Sequence, residues 1–273
     1  MITVIDLSTA AISANATICQ GQSATVTFTG TPNAVVSYTV NGAPQTITLG
    51  ASGTATITQV YTSTTTYQLL SVTTPGAPGC TRNVPGTVLI TVVPPPTAAI
   101  SANATICPGT SATVNFTGTP NAIVSYTVNG GPIQTITLSA AGIASITAVY
   151  TVTTTFQLVS VSTPLPDSCT QNIAGTVTIT VLELPVVSIN SNATVCPGAS
   201  ATITFNGTPG AVVTYTVNSG SNQTIVLNAS GIGTITQNYT ATTVYALVSV
   251  SNPAAQTCTQ PAAGTVTLAV IPA

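Results

Sequence analysis

The feature that most constrains the fold of this chain is a threefold internal repeat. Residues 9–19 read TAAISANATIC, and residues 97–107 repeat these letters without a change. A diverged third copy, VVSINSNATVC, occupies residues 186–196. The intervals between copies, 88 and 89 residues, suit a whole small domain rather than one turn of a solenoid. We therefore predict three domains, called units 1, 2 and 3, that span residues 9–96, 97–185 and 186–273.

Residues 1–8 resemble the end of a unit rather than its beginning. Residues 2–7 read ITVIDL, close to ITVLEL at residues 179–184. We interpret residues 1–8 as the last strand and linker of a preceding repeat, and we expect the chain to be a segment of a longer array. The opening residues lack the basic and apolar regions of a signal peptide, which we expect to lie elsewhere.

Within each unit the hydrophobic pattern has a period of two. The ATVTF sequence at residues 24–28, for example, predicts a strand with one buried face and one Thr-rich solvated face. Asn-Gly at residues 41–42 and 129–130 predicts type I′ hairpins. About seven short strands per unit, without a helical pattern, predict an all-β fold of three tandem immunoglobulin-like β-sandwiches. The Pro-Pro-Pro linker at residues 94–96 favours stiff polyproline II geometry, so we expect a semi-rigid rod. A further turn is predicted where Gly-Thr-Pro recurs, at residues 30–32, 118–120 and 207–209.

The twelve aromatic residues fall at four positions that recur in every unit. Each stands in a strand pattern, so we expect these rings to pack in the cores rather than to form an exposed binding patch. The four sets are Phe28, Phe116 and Phe205; Tyr38, Tyr126 and Tyr215; Tyr61, Tyr150 and Tyr239; and Tyr67, Phe156 and Tyr245. The tyrosines of the last set hold the place of the tyrosine corner of immunoglobulin domains, whose hydroxyl bonds to the backbone.

The near absence of charge excludes most kinds of chemistry. The chain has one basic side chain, three acids and no His. Acid–base catalysis needs a titrating group beside the reacting bond, nucleic-acid binding needs several cations, and zinc or copper sites need His or clustered thiolates. We therefore expect no enzymatic activity, no nucleic-acid partner, no metal and no cofactor. Asp6 and Glu183 stand singly in linkers, too few for calcium, and Arg82 and Asp167 are expected on the surface. No apolar run is long enough for a membrane-spanning helix.

Six cysteines, two per unit, predict disulfides formed in an oxidising compartment. The pairing that we expect lies within each unit: Cys19–Cys80, Cys107–Cys169 and Cys196–Cys258. A second pairing stays open, because immunoglobulin topology puts the first and second Cys of a unit at opposite poles of the sandwich. In an end-to-end array the first Cys of one unit would then meet the second Cys of the next, which gives Cys19–Cys169 and Cys107–Cys258.

Two stretches of unit 2 carry a family resemblance. ATICPGTSATVNFTGTPNAIVSYTVNG and TFQLVSVSTP, followed by CTQNIAGTVTITV, resemble the PKD-like and immunoglobulin-like tandem repeats of Bacteroidota (flavobacterial) cell-surface proteins. The resemblance extends over all three units. It implies a large extracellular protein, exported by type IX secretion, that serves as an adhesin or a gliding-motility surface fibre. The shared motifs belong to the framework, so no catalytic residue is implied.

These observations predict a structural role. We expect a stalk or fibre segment of a long cell-surface adhesin or filament, which projects a tip and bears mechanical load. The alternative is an adhesive module that binds polysaccharide, or associates laterally with other copies, through its neutral Thr/Asn-rich faces. The expected partners are neighbouring repeats of the same chain, then lateral copies or surface polysaccharide. The expected location is extracellular, on the cell surface.

Overall fold

The computed structural model describes residues 7–14, 17–76, 79–102, 105–164, 168–191, 194–252 and 258–271. All the regular secondary structure in these ranges is β-strand, with nine strands in each unit. No helix of the described residues has the length and apolarity needed to cross a membrane.

The strands of unit 1 are Ala10–Ala14 (β1), Thr17–Cys19 (β2), Ser23–Gly30 (β3), Val35–Val40 (β4), Ala43–Thr48 (β5), Thr54–Val60 (β6), Thr65–Thr73 (β7), Thr81–Asn83 (β8) and Thr87–Val93 (β9). Those of unit 2 are Ala98–Ala102 (β10), Thr105–Ile106 (β11), Thr110–Gly118 (β12), Ile123–Val128 (β13), Gln134–Thr137 (β14), Ile143–Tyr150 (β15), Thr154–Ser162 (β16), Thr170–Asn172 (β17) and Thr176–Val181 (β18). Those of unit 3 are Val187–Ser191 (β19), Thr194–Val195 (β20), Ala199–Gly207 (β21), Val212–Val217 (β22), Gln223–Val226 (β23), Ile232–Tyr239 (β24), Thr243–Ser251 (β25), Thr259–Pro261 (β26) and Thr265–Val270 (β27).

Each unit is a sandwich of two sheets. In unit 1, β1, β3 and β6 form a three-stranded antiparallel sheet, and the second sheet has the order β2-β9-β7-β4-β5, with β8 on the edge of β7. Units 2 and 3 repeat this order strand for strand. The predicted three tandem immunoglobulin-like sandwiches are therefore confirmed. Each has nine strands rather than seven, because the first strand is divided between the two sheets and β8 is a short addition. The residue boundaries of the units stay a prediction.

The period of two sorts the side chains as expected. In β3, Ala24, Val26 and Phe28 are at most 2% exposed, while Thr25 on the other face shares a 2.8 Å hydroxyl–hydroxyl hydrogen bond with Thr58 of β6. All twelve aromatic side chains are buried, so the prediction that they form the cores is confirmed. Threonine pairs of this kind also join the strands in units 2 and 3.

The first predicted hairpin has the expected turn. Asn41 and Gly42 both have positive φ angles, 50° and 86°, and Val40 pairs with Ala43 across them. These are the conformations that a two-residue type I′ turn requires. In unit 2, Asn129 and the glycine after it also have positive φ angles, but β14 starts only at Gln134, so the loop is longer.

The direction of the strands gives each unit two distinct ends. The chain enters at the leading end, where β1 begins, and leaves at the trailing end, where β9 finishes. β2 runs parallel to β9 and sets Cys19 opposite Val93, at the trailing end. β7 runs antiparallel to β9, so Cys80, held beside Thr74 just after β7, is at the leading end.

This geometry overturns the expected pairing of the cysteines. A nine-residue strand separates the ends by about 30 Å at ~3.3 Å per residue, whereas the Cα atoms of a disulfide lie less than about 7 Å apart. The prediction of disulfides within units is therefore wrong. It named the pairs Cys19–Cys80, Cys107–Cys169 and Cys196–Cys258.

Candidate functional site

The candidate functional site of this protein is the pair of joints between its units. At the first joint, Cys19 of unit 1 forms a disulfide with Cys169 of unit 2, with the Cα atoms 5.5 Å apart. At the second, Cys107 of unit 2 bonds to Cys258 of unit 3, again with 5.5 Å between the Cα atoms. In both, the first Cys of one unit meets the second Cys of the next. This is the pairing that the sequence left open as the alternative.

A tight turn holds the first cysteine of each unit at the trailing end. In unit 1 the Gln22 amide donates to the Cys19 carbonyl (3.0 Å), and the Gly21 amide donates to the Tyr61 carbonyl (2.9 Å). Gly21 has a φ of 83°, which suits glycine. The same two hydrogen bonds occur after Cys107 and after Cys196. The backbone of the turn after the first cysteine is therefore alike in all three units.

A different clasp holds the second cysteine at the leading end. The Cys169 amide donates to the Thr163 hydroxyl (2.8 Å), and the Thr163 amide donates back to the Cys169 carbonyl (3.0 Å). Thr74 makes the same pair of bonds with Cys80, and Asn252 replaces the threonine beside Cys258. Both cysteine positions are thus set by hydrogen bonds to the backbone of the cysteine, and the free Cys80 and Cys196 keep these bonds without a disulfide.

The linker between units is clamped as well. Before unit 2, the Thr97 amide donates to the Thr119 hydroxyl, and the Thr119 amide donates to the Thr97 carbonyl, both at 2.9 Å. The linker passes so close that a Cβ on Gly118 would lie 2.1 Å from the Thr97 carbonyl oxygen. Units 1 and 3 repeat the two hydrogen bonds and the close approach.

This clamp explains the recurring Gly-Thr-Pro motif. The sequence predicted only a turn there, and the role of the motif in holding the linker was missed. A signal was present in the sequence, because each Gly-Thr-Pro follows its linker at the same spacing. In unit 2 the two bonded threonines, Thr97 and Thr119, are 22 residues apart. The residue just before the clamped position is buried in each case, as Ser8, Pro96 or Pro185.

The described residues that meet at the first joint carry no charge, and most of them are polar. A cleft of about 440 Å³ beside the disulfide is lined by both units. At the second joint, the Gln260 side-chain amide donates to the Pro185 carbonyl of the linker. The residues around the first cleft are Cys19, Gln20, Gln22, Pro95, Ser168, Cys169, Thr170 and Gln171.

The two charged side chains among the described residues lie in different parts of the fold. Arg82 is exposed on β8, and Glu183 is exposed in the second linker. Asp6 and Asp167 lie outside the described residues. In the part of the chain that the structure describes, no three His, Cys, Asp or Glu side chains are close enough to hold a metal ion. The arrangement can join and stiffen the units.

Two of the six cysteines remain as free thiols. Cys80, the second Cys of unit 1, and Cys196, the first Cys of unit 3, are both exposed. The four cysteines that face another unit are bonded. Two disulfides in one chain indicate an oxidising compartment.

Comparison with known proteins adds a limited likeness. No protein-family model matches the chain, and no curated protein matches it, so the resemblance to PKD-like repeats stays a prediction. Among solved structures, a 1.5-MDa bacterial ice-binding adhesin is 16% identical, with 98% of each chain covered and a TM-score of 0.45. A marsupial T cell receptor is 10% identical, with 93% of this chain and 99% of that one covered and a TM-score of 0.45. A D1–D4 ectodomain fragment of ICAM-5 is 12% identical, with 95% and 76% covered and a TM-score of 0.40. At these values the likeness carries no functional argument, and the fold rests on the strand order of the chain itself.

Proposed function

We propose that this chain is a structural segment of an extracellular fibre or adhesin stalk, which holds a distant functional part away from a surface and bears mechanical load. The observation that carries the proposal is that both joints are closed by a disulfide between neighbouring units. A flexible string of domains needs no such bonds, whereas a stalk that resists bending does.

Two covalent connections restrict motion at each joint, the peptide linker and the disulfide. At the first joint the linker clamp of Thr97 and Thr119, which lies within unit 2, fixes the end of the linker on that unit. The disulfide leaves unit 1 from β2, the strand next to β9, so its attachment point lies beside that of the linker and does not coincide with it. Two covalent connections at separate points oppose hinge motion, because bending about one of them would have to stretch the other.

The strand order also suits tension along the chain. A pull on the two ends of a unit loads β1 and β2 against β9, and β2 pairs with β9 in parallel. The hydrogen bonds of such a pair are loaded together rather than one after another. With its disulfide closed, Cys19 transmits part of the load from β2 directly into unit 2, so β9 is not pulled out of the sheet alone.

The surface fits an inert spacer. The formal net charge is −2 for 273 residues, and the described charged side chains lie outside the cores. Outward-facing hydroxyls, such as those of the Thr25–Thr58 pair, keep the outer faces of the sheets solvated without charged side chains. The interactions of such a surface should change little with salt concentration, because the surface carries little charge that salt could screen.

Single-molecule pulling tests the proposal through the length of chain that force can extend. With both disulfides closed, the shortest covalent path runs along residues 1–19, crosses to Cys169, returns along the chain to Cys107, crosses to Cys258 and continues to the end, about 98 residues. At ~3.5 Å per residue this path extends to about 340 Å, and full reduction should add about 610 Å. Removing one disulfide alone, as Cys19→Ser/Cys169→Ser, should add only about 25 residues, or about 90 Å, because the remaining bond hides an overlapping stretch of the chain.

The matched control is the Cys80→Ser/Cys196→Ser variant, which keeps both joints and should extend like the unchanged chain. A gain of about 60 residues for each disulfide removed would instead indicate bonds within units.

X-ray scattering tests the shape. A stiff row of three units, each about 40 Å long, has a radius of gyration of about 35 Å. A compact globule with the same number of residues has a radius of gyration of about 19 Å. A value near 19 Å would overturn the proposed function.

A further inference from the structure

The two free thiols are the unmatched halves of the bond that closes the joints. In both disulfides a first Cys at a trailing end meets a second Cys at a leading end. Cys196 is a first Cys at the trailing end of unit 3, and Cys80 is a second Cys at the leading end of unit 1. Unit 1 therefore presents one half of a joint at its leading end, and unit 3 presents the complementary half at its trailing end.

Both halves already have the conformation that they have inside a joint. The clasp of Cys80 by Thr74, at 2.7 Å and 3.0 Å, matches the clasp of bonded Cys169 by Thr163, at 2.8 Å and 3.0 Å. Binding to a partner would therefore require little rearrangement of the backbone around Cys80.

The same holds at the other end. The Ala199 amide donates to the Cys196 carbonyl at 3.0 Å, as the Gln22 amide donates to the bonded Cys19 at 3.0 Å. β20 and β27 set Cys196 just past the Val195–Val270 pair, as β2 and β9 set Cys19 beside Val93. Both thiols are exposed, so a partner can reach them.

We propose that Cys196 and Cys80 are complementary linking sites, and that a second copy of this chain docks head to tail and joins through a Cys196–Cys80 disulfide. The partner is chosen by geometry, because a trailing end presents only a first Cys and a leading end only a second Cys. Bonds between two copies of Cys80, or two copies of Cys196, would bring like ends together, an arrangement that neither joint contains. The inference goes beyond the proposed function, which concerns only the joints inside the chain.

The bond forms by exchange with a small-molecule disulfide, for which oxidised glutathione is the probe. The Cys80 thiolate attacks one glutathione sulfur, and a mixed disulfide forms as one glutathione thiolate leaves. The Cys196 thiolate of the second copy then attacks the Cys80 sulfur, and the second glutathione leaves. Two protein thiols are oxidised and one oxidised glutathione is reduced to two thiols, which take up the two protons.

The test mixes two variants of the full three-unit chain. Cys80→Ser retains only the Cys196 thiol, and Cys196→Ser retains only the Cys80 thiol. In a glutathione redox buffer, an equimolar mixture should give mixed dimers in more than about nine-tenths of the linked product, against about half for random collision. Each variant alone should give at least about tenfold less dimer, and Cys80→Ser/Cys196→Ser should stay monomeric. The unchanged chain should form a ladder of multiples of its own mass, and peptide mapping should find Cys80 joined to Cys196.

Random proportions of the three possible dimers, dimers of a single variant in equal yield, or a Cys80–Cys196 bond within one copy would each overturn the inference. So would the absence of any linked product when glutathione labels both thiols. None of these results would affect the scattering and pulling measurements, so failure of the linking sites is distinguishable from failure of the proposed function.

Discussion

The middle unit and the outer units solve the same packing problem in different ways. In unit 1 the hydroxyl groups of Tyr61 and Tyr67 share a hydrogen bond of 2.9 Å, and the Gln59 amide donates to Tyr67 at 3.1 Å. Unit 3 repeats the network with distances of 3.0 Å and 3.2 Å. In unit 2, Phe156 and Ala148 replace the second tyrosine and the glutamine. The hydroxyl of Tyr150 is then buried without a hydrogen-bond partner among the described residues.

The difference shows that the shape of this core is kept while its polar contacts are exchanged. Tyr150 and Phe156 still meet edge to face, with ring centroids 6.4 Å apart. A buried hydroxyl without a partner costs about 1–3 kcal/mol. Unit 2 is also the unit whose two cysteines are both bonded, whereas each outer unit has one free thiol.

The largest expected effect comes from reducing the disulfides. Each closes a loop of about 150 residues, which the chain-entropy account values at about 5 kcal/mol. Reduction and alkylation should therefore lower the stability of the whole chain, and unit 2, held at both ends, should lose most protection. Hydrogen exchange followed unit by unit measures this. The Cys80→Ser/Cys196→Ser variant is the control, in which protection from exchange should not change. An equal loss of protection in all three units would contradict the difference between the middle unit and the outer units.

The next effect is expected from exchanging the two kinds of core. Ala148→Gln with Phe156→Tyr should give Tyr150 a partner and stabilise unit 2 by about 1–2 kcal/mol. The reverse exchange in unit 1, Gln59→Ala with Tyr67→Phe, should destabilise it by a similar amount. Denaturant unfolding monitored by exchange in each unit gives both values. Two changes of the same sign would show that the networks are not equivalent.

Single removals of a hydroxyl should have opposite signs in the two units. Tyr61→Phe removes a satisfied hydrogen bond and should destabilise unit 1 by about 1 kcal/mol. Tyr150→Phe removes a hydroxyl that has no partner among the described residues, and should leave unit 2 unchanged or stabilise it by up to about 1 kcal/mol. The measurement is the thermal midpoint of each variant, and a clear loss for Tyr150→Phe would reveal a partner that the described residues do not show.

The smallest effect is expected from pH between 5 and 9, where almost nothing in the chain titrates. Burial raises the pKa of Tyr67 and of Tyr245, and the hydrogen bond to the neighbouring tyrosine raises it further. A folded-state pKa above the unfolded value of about 10 means that the folded chain holds these protons more tightly. The stability that these two tyrosines contribute is therefore fully present below pH ~10 and falls as pH rises above it.

Burial also raises the pKa of Tyr126 and Tyr150, so unit 2 should lose stability at alkaline pH as well. The loss should be steeper in the outer units, because the tyrosine–tyrosine hydrogen bond that further raises the pKa of Tyr67 and Tyr245 has no counterpart at Phe156. Thermal midpoints from pH 7 to 11 test it, in the Cys80→Ser/Cys196→Ser background to prevent thiol exchange. Tyr67→Phe with Tyr245→Phe should flatten the alkaline slope. An unchanged slope would mean that other groups are responsible.

Much of the fold was predictable because burial is encoded in local alternation. The ATVTF pattern of β3 places its apolar residues inward by the geometry of a strand. The recurrence of each aromatic in every unit likewise indicated a core position, and all twelve are buried. The split of the first strand into β1 and β2 was not predicted, since nothing in the alternation records which sheet a strand joins.

Polar partners were predicted less well. Tyr67 and Tyr245 stand where a tyrosine corner was expected, in which the hydroxyl would bond to upstream backbone. Instead, the Tyr67 hydroxyl bonds to the side chains of Gln59 in β6 and of Tyr61 just after it. The Tyr245 hydroxyl bonds to the side chains of Gln237 and Tyr239, both in β24. The direction of a hydroxyl depends on what faces it across the sandwich. Sequence spacing does not contain that information.

By itself, the sequence determined three repeated β-sandwiches, their cores and their lack of charge, because these follow from period, repetition and composition. Only the tertiary structure decided which cysteines meet and what the Gly-Thr-Pro motif holds. The physical reason is the length of β7, which keeps the two cysteines of one unit about 30 Å apart. The order of the units then brings the trailing end of one against the leading end of the next, so a disulfide can form only between them.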